Sequence, residues 1–135
     1  LIENGSDINQ RDSDGKSSLL YAIGGGYVCI AKRLLESGAN PNTQTKFGAS
    51  VLHCAAGKGL VKPLRMLLEQ CGDVSVNEED NFGSTLLHYA AFNNRTNTIQ
   101  FLLQLGCKKD KKDHKGRTAA DLAKLMGYGD IVQLL

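Results

Sequence analysis

Four glycines at nearly equal spacing constrain this chain more than any other feature. Gly15, Gly48, Gly83 and Gly116 stand 33, 35 and 33 residues apart, and each is followed by a hydroxyl residue, a short apolar run and an alanine in matching places. A fixed period of this size is typical of stacked units that bury their apolar faces only against one another. We therefore predict a repeat protein, whose working surface is long and open.

Each unit reads as a turn followed by two short helices. The glycine accepts the positive φ of a tight turn, and a hydroxyl two residues later can cap the next helix. These predicted caps are Ser17, Ser50, Thr85 and Thr118. The first helix is expected to end at a left-handed residue, namely Gly26, Gly59, Asn94 or Gly127. Small side chains on the first helices predict close helix packing; they are Ala22, Ala55, Ala90 and Ala123.

The units resemble the ankyrin repeat, whose signature is Asp-x-x-Gly-x-Thr-Pro-Leu-His-x-Ala-Ala. One unit matches it with Asp80, Gly83, Thr85, Leu87, His88, Ala90 and Ala91, and another with Gly48, Ser50, Leu52, His53, Ala55 and Ala56. The family's later segment appears as Leu34-Leu35-Glu-Ser-Gly38-Ala39-Asn40-Pro-Asn42. The resemblance implies an all-α ankyrin-repeat solenoid of stacked helix-turn-helix units joined by β-hairpin-like loops.

The period divides residues 1–135, one domain, into units of unequal completeness. We predict the end of a partial repeat at 1–11, repeats at 12–44, 45–79 and 80–112, and a truncated last repeat at 113–135; the second carries two extra residues. We number the four larger units repeats one to four. The family histidine is replaced by Leu20 in repeat one and by Asp121 in repeat four. The apolar ends Leu1-Ile2 and Leu134-Leu135 suggest a piece of a larger parent or a self-associating surface.

Composition excludes several classes of function. A formal net charge of +2 is too small to indicate nucleic-acid binding, and no apolar run approaches the ~20 residues of a membrane span. Four cysteines without a Cys-x-x-Cys pair favour a reducing compartment, so we expect a cytoplasmic or nuclear protein; they are Cys29, Cys54, Cys71 and Cys107. We expect no cofactor, metal or small-molecule substrate.

No residue pattern indicates an active site. His53 and His88 lie one repeat apart, and packed helices are ~8–10 Å apart, whereas a shared metal would require both nitrogens within ~2.1 Å of it. The resemblance instead implies a structural role, with each histidine bonded to its neighbouring hydroxyl (Ser50 or Thr85) and to loop backbone. Cys54 beside His53 is expected to be buried and therefore not a nucleophile.

The predicted partner surface is the concave face, made of the loop residues around each glycine and the exposed side of each first helix. The resemblance implies that partners bind there. Phe47, Phe82 and Phe92 are expected to cluster as an apolar anchor; the alternative is that each phenylalanine shields its own loop. The other expected contacts are Lys16, Lys46, Lys58, Asn81, Asn93, His114, Lys115 and Arg117.

A basic loop at residues 108–117 offers a second surface. It contains Lys108, Lys109, Lys111 and Lys112, and an acidic stretch lies between Glu69 and Asp80. Ordinary solvated charge explains such runs; the alternative is a receptor for an acidic peptide, a phosphate or a lipid head group. Asn9 and Asn42 lie in loops that can be hydroxylated in this family, although ordinary loop asparagines account for them as well.

These observations leave three functions. The first is a non-catalytic protein-interaction module that binds a partner segment on its concave face. The second is the regulatory or substrate-recruiting arm of a larger enzyme such as a ligase, an acyltransferase or a kinase. The third, ranked last, is anion or nucleic-acid binding through the basic loop.

Overall fold

The computed structural model describes residues 12–13, 15–40, 44–70 and 76–135, apart from the side chain of Gln70. Within these ranges the chain forms eight α-helices and no strand. The helices are α1 Ser18–Gly24, α2 Val28–Glu36, α3 Val51–Gly57, α4 Val61–Gln70, α5 Leu86–Phe92, α6 Thr96–Gln104, α7 Ala119–Met126 and α8 Gly129–Leu134. The predicted all-α repeat architecture is confirmed.

The helices form two layers. The first helices α1, α3, α5 and α7 pack side by side in one row, and α2, α4, α6 and α8 form a second row behind them. The core lies between the rows and is filled by aliphatic side chains such as Leu52, Leu67, Leu87 and Ile99. The repeated alanines of the first helices are at most 5% exposed, as their small size predicted. A larger side chain there would force the rows apart.

Each first helix begins at the predicted hydroxyl cap. The backbone N–H of the third helical residue donates to the side chain of the capping residue. The capping residues are Ser17, Ser50, Thr85 and Thr118. In repeat four Asp121 takes the place of the family histidine and completes the cap: the Thr118 N–H donates to Asp121 Oδ2 at 3.0 Å, and the Asp121 N–H donates to Thr118 Oγ1 at 3.2 Å. Reciprocal bonds of this kind satisfy two N–H groups that the helix leaves unpaired.

The turns between paired helices adopt the left-handed conformation that the sequence predicted. Gly26, Gly59, Asn94 and Gly127 have φ of 77°, 71°, 60° and 79°. Asparagine is among the few residues other than glycine that tolerate this region.

The loop tips are tight hairpin turns that bond to one another along the stack. In repeat three the Asp80 N–H donates to the Ser84 carbonyl at 3.0 Å, and repeats two and four close in the same way. The Asn81 N–H donates to the Phe47 carbonyl, and the His114 N–H to the Phe82 carbonyl, both at 2.9 Å. Gly83 has φ of 76°, and a Cβ there would lie 3.0 Å from the backbone nitrogen of His114. Glycine is required by the backbone angle and also by the approach of the next tip.

Candidate functional site

His53 joins the cap of its own helix to the loop of the next repeat. Its Nδ1 accepts from the Ser50 N–H at 3.1 Å, and its Nε2 lies 3.0 Å from the Ser84 carbonyl. The neutral tautomer with its proton on Nε2 satisfies both bonds. Burial lowers the pKa of His53, opposed by the hydrogen bond to Ser84, because desolvation disfavours the charged imidazolium.

His88 occupies the same position one repeat later. Its Nδ1 accepts from the Thr85 N–H at 3.1 Å, and its Nε2 lies 2.7 Å from the Arg117 carbonyl. Both histidines are at most 1% exposed and have protein partners on both ring nitrogens. In this geometry they connect repeats two, three and four, and neither ring nitrogen is left to bind a ligand.

A tyrosine–aspartate pair on the concave face was not predicted from the sequence. The Tyr89 hydroxyl donates to Asp80 Oδ2 at 2.6 Å, while Asp80 Oδ1 accepts from two N–H groups of its own loop. Burial, reinforced by the hydrogen bond to Asp80, raises the pKa of Tyr89. In repeat one the Tyr21 hydroxyl donates in the same way to Asp12. The nine-residue separation of each pair was the available signal.

The structure brings together two of the three candidate phenylalanines. The Phe47 and Phe82 rings lie 6.1 Å apart between centroids, tilted by 34°, and are 53% and 56% exposed. Lys46 Nζ lies 5.2 Å from the Phe47 ring centroid, within the range of a cation–π contact. We refer to Phe47 and Phe82 as the aromatic pair.

The expectation that Phe92 joins this cluster is wrong. Phe92 is 49% exposed and lines a separate cleft of about 380 Å³ between repeats three and four, together with Asp80, Tyr89, Arg117 and others. Within the described ranges its ring contacts neither of the other two phenylalanines. Phe92 stands at the end of α5 rather than on a loop tip, which carries its ring away from the aromatic pair.

Several candidate contact residues also support the tips. Asn81 Nδ2 donates to the Lys46 carbonyl at 3.3 Å, and Asn93 Nδ2 donates to the Tyr89 carbonyl at 2.8 Å. The Lys115 N–H donates to Asp113 Oδ1 at 2.9 Å. The side chains of Lys16, Lys58 and His114 lie at the exposed surface, and the first two line a cavity over α1 and α3.

The basic loop is partly neutralised by acidic side chains of the chain itself. Lys111 forms an ion pair with Glu79, and the hydrogen bond from Lys111 lowers the pKa of that carboxyl. Arg117 Nε donates to Asp113 Oδ2 at 2.9 Å. The acidic stretch and the basic loop therefore meet in the folded chain, although they lie on the loops of neighbouring repeats. Lys108, Lys109 and Lys112 remain at the surface.

Cys54 is only half-buried, which corrects the expectation of a buried thiol. Burial still raises its pKa, and the nearby Lys58 and Lys16 oppose that shift. Cys29 and Cys107 are free thiols, and burial raises the pKa of Cys107 to about 11. Cys71, Asn9, Asn42 and the predicted partial repeat 1–11 lie outside the described residues.

Two kinds of feature are absent from the described part of the chain. Its histidines, cysteines and carboxylates form no group of three or more arranged to hold a metal ion. Nor does any of its helices combine the length and the apolar character that crossing a bilayer requires.

Comparison with known proteins agrees with this geometry. The family described as ankyrin repeats (3 copies) matches residues 1–80 and 52–135. A Medicago truncatula protein named vapyrin-like is 34% identical over 107 residues, covering 78% of this chain and 22% of the relative. The human transient receptor potential cation channel subfamily A member 1 is 34% identical over 121 residues, covering 83% of this chain and 11% of the relative. Ankyrin repeats are in general non-catalytic modules that bind other proteins. The chain belongs to the ankyrin-repeat family.

Proposed function

We propose that this chain is a non-catalytic protein-interaction module that binds a partner segment on its concave face. The observation that carries the proposal is the aromatic pair: two adjacent phenylalanine rings, each more than half exposed, on neighbouring loop tips. Aromatic side chains dominate the binding energy of protein interfaces when a partner desolvates them.

The backbone around the aromatic pair favours binding over a shielding role. The tips that carry Phe47 and Phe82 are joined by the bond between the Asn81 N–H and the Phe47 carbonyl, so the backbone that carries the two rings is fixed before a partner binds. Preorganised groups lose little conformational entropy on binding. A ring that shielded its own loop would be largely buried, and neither ring is.

The remaining contacts of the module are assigned by position. Lys46 extends the aromatic pair with a positive charge, while Phe92, Asn93 and Arg117 border the cleft between repeats three and four. A partner segment that runs along the first helices would meet the aromatic pair first and that cleft next. Charged groups at the rim of such an interface affect the association rate and orientation more than the affinity.

The other two functions have weaker support. A regulatory arm of an enzyme is compatible with the two relatives, in which the matched region is only 22% or 11% of the protein. Neither relative is named as an enzyme, however. Anion or nucleic-acid binding through the basic loop is disfavoured because Lys111 and Arg117 already pair with Glu79 and Asp113. The free thiols of the described cysteines are compatible with a cytoplasmic or nuclear location.

A comparative pull-down from cell lysate tests the proposal. The bait is this chain, and the test variant is Phe47→Ala/Phe82→Ala. The control variant is Ile30→Ala/Leu105→Ala, which removes two exposed apolar side chains, one on α2 and one directly after α6. We expect one or more proteins to be retained by the chain and the control and lost from the test variant. Equal retention by all three would reject the aromatic pair as the binding site.

A further inference from the structure

Repeat two lacks the tyrosine–aspartate pair that repeats one and three contain. Where those repeats have Tyr21 and Tyr89, repeat two has Cys54, and where they have Asp12 and Asp80, it has Thr45. Cys54 is much smaller than the tyrosine it replaces, and Thr45 lacks the carboxylate that accepts from the tyrosine hydroxyl in the other two repeats. The consequence is space rather than a different local fold, because the cap and helix of repeat two match those of repeat three.

That space is a cavity of about 460 Å³ that opens on the concave face over α1 and α3. Its lining includes Leu20, Tyr21, Thr45, Ala49 and Cys54. A volume of this size lies within the range of pockets that take small ligands or single large side chains.

Gly24, the last residue of α1, and Gly25, which follows it, keep the cavity open. A Cβ at Gly24 would lie 3.3 Å from Cys54 Sγ and 3.7 Å from Lys58 Nζ, and Gly25 lines the same wall. The equivalent positions in repeat three are Phe92 and Asn93. Gly24 and Gly25 therefore form one side of the cavity.

The cavity has an apolar floor and a positive rim. Because burial raises the pKa of the Cys54 thiol, this group is neutral near pH 7 and behaves as a small apolar surface. Lys16 and Lys58 line the rim, and among the described residues neither forms an ion pair. Lys16 Nζ lies 5.7 Å from the Tyr21 ring centroid. The Asp12 carboxylate at this edge already accepts a hydrogen bond from the Tyr21 hydroxyl.

We propose that this cavity receives an aromatic or large aliphatic side chain of the partner protein, with an aspartate or glutamate beside it in the partner's sequence. The apolar floor accepts the side chain, and Lys16 and Lys58 bind the neighbouring carboxylate. The cavity borders the loop that carries Phe47, since Thr45 and Ala49 of its wall stand two residues before and two residues after Phe47. The inference rests on the proposed function and names the chemistry of the partner segment.

The direct test rebuilds the missing pair. The variant Thr45→Asp/Cys54→Tyr gives repeat two the residues of repeat three, so we expect it to fold and to fill the cavity with the tyrosine ring. The control Cys54→Ala leaves the cavity open. Circular dichroism and urea unfolding check the fold of each variant, and Cys54→Met fills the cavity with a flexible side chain should the double variant fail to fold.

Binding is read from a phage library of random dodecapeptides selected on the unmodified chain. We expect the enriched peptides to share an aromatic or large aliphatic residue next to Asp or Glu. Their affinity should fall at least tenfold for the filled variant, stay within about twofold for Cys54→Ala, and become less salt-dependent for Lys16→Gln/Lys58→Gln. Enriched peptides without an acidic neighbour, no enrichment, or unchanged affinity for the filled variant would overturn the inference.

The same peptides separate this inference from the proposed function. If the Phe47→Ala/Phe82→Ala variant loses binding while the filled variant keeps it, the proposed function stands and the cavity is not a binding site. If neither variant loses binding, both the proposed function and the cavity inference are wrong.

Discussion

Repeats two and three share one framework and differ in the surface built on it. In both, a buried histidine accepts from the N-cap backbone and reaches a carbonyl of the next loop. On the concave face repeat three carries the bonded Asp80–Tyr89 pair, beside the cleft that it forms with repeat four. Repeat two has Thr45 and Cys54 at these positions, and they line a cavity. Different residues therefore determine the stacking of the repeats and the chemistry of their concave surface, so the surface can change while the stacking stays constant.

We expect the largest effect from removing the two buried histidines, and it tests whether they stabilise repeats two and three equally. His53→Ala and His88→Ala should each lower the free energy of unfolding by about 3 kcal/mol, because a cavity forms and buried backbone groups lose their partners. Urea unfolding followed by circular dichroism measures this loss. A difference of more than about 1.5 kcal/mol between the two variants would show that the frameworks are not equivalent.

The next largest effect concerns Asp80 and Thr45, which occupy equivalent positions in the loops of repeats three and two. Asp80 accepts from the N–H groups of Phe82 and Ser84 at 2.9 Å and from Tyr89, whereas Thr45 accepts from two N–H groups at 3.3 Å. Asp80→Ala should therefore lower the free energy of unfolding by about 2 kcal/mol, and Thr45→Ala by about 0.5 kcal/mol. Equal losses in thermal and urea unfolding would contradict the distinction drawn between the loops.

A third prediction concerns equivalent positions in the second helices. Thr98 in repeat three is fully buried and its hydroxyl has no hydrogen-bond partner, whereas repeat two has Pro63 at this position. Thr98→Val should raise the free energy of unfolding by about 1 kcal/mol, since the change removes an unsatisfied polar atom at nearly constant shape.

Its control is Thr96→Val, two residues earlier on α6, where the side chain is half-buried. That change should alter the free energy of unfolding by less than about 0.5 kcal/mol. Destabilisation by Thr98→Val would mean that the hydroxyl has a partner, such as a bound water.

The last prediction is a pH dependence of stability that originates in repeat two. Burial lowers the pKa of His53 below its ordinary value of 6.5, so the unfolded chain takes up this proton at a higher pH than the folded chain does. The contribution of His53 to the free energy of unfolding is therefore fully present above pH 6.5. It falls as the pH is lowered toward the pKa of the folded state, by no more than about 1.4 kcal/mol per pH unit for one proton. Urea unfolding between pH 7.5 and 5.5, with nuclear magnetic resonance titration of the His53 ring, checks this; a His53 pKa above 6.5 would contradict it.

The sequence predicted the framework because its determinants are local. Gly83 and Asn94 mark positive φ, Thr85 marks a helix start, and Ala90 marks a close helix contact, and each residue type reports the backbone at its own position. The resemblance added the bonds of His88 to the Thr85 hydroxyl and to the Arg117 carbonyl, which join residues three and 29 positions apart.

The concave face was less predictable because it depends on which side chains meet after stacking. The sequence placed Phe92 with the aromatic pair, and it did not predict the ion pair between Glu79 and Lys111. The cavity at Cys54 arises because a tyrosine is absent, and an absent residue produces no motif in the sequence. Comparing equivalent positions across the repeats would have shown that Cys54 replaces a tyrosine, but not whether other residues fill the space.

The central claim is that the exposed aromatic pair, and not the framework, binds the partner. The most direct test is the affinity, measured by isothermal titration calorimetry, of a protein captured in the pull-down for this chain, for Phe47→Ala/Phe82→Ala and for Ile30→Ala/Leu105→Ala. We predict unchanged helix content in all three, at least about tenfold weaker binding by Phe47→Ala/Phe82→Ala, and a change of less than about twofold in Ile30→Ala/Leu105→Ala. Equal affinity of all three proteins would contradict the proposed role of the aromatic pair.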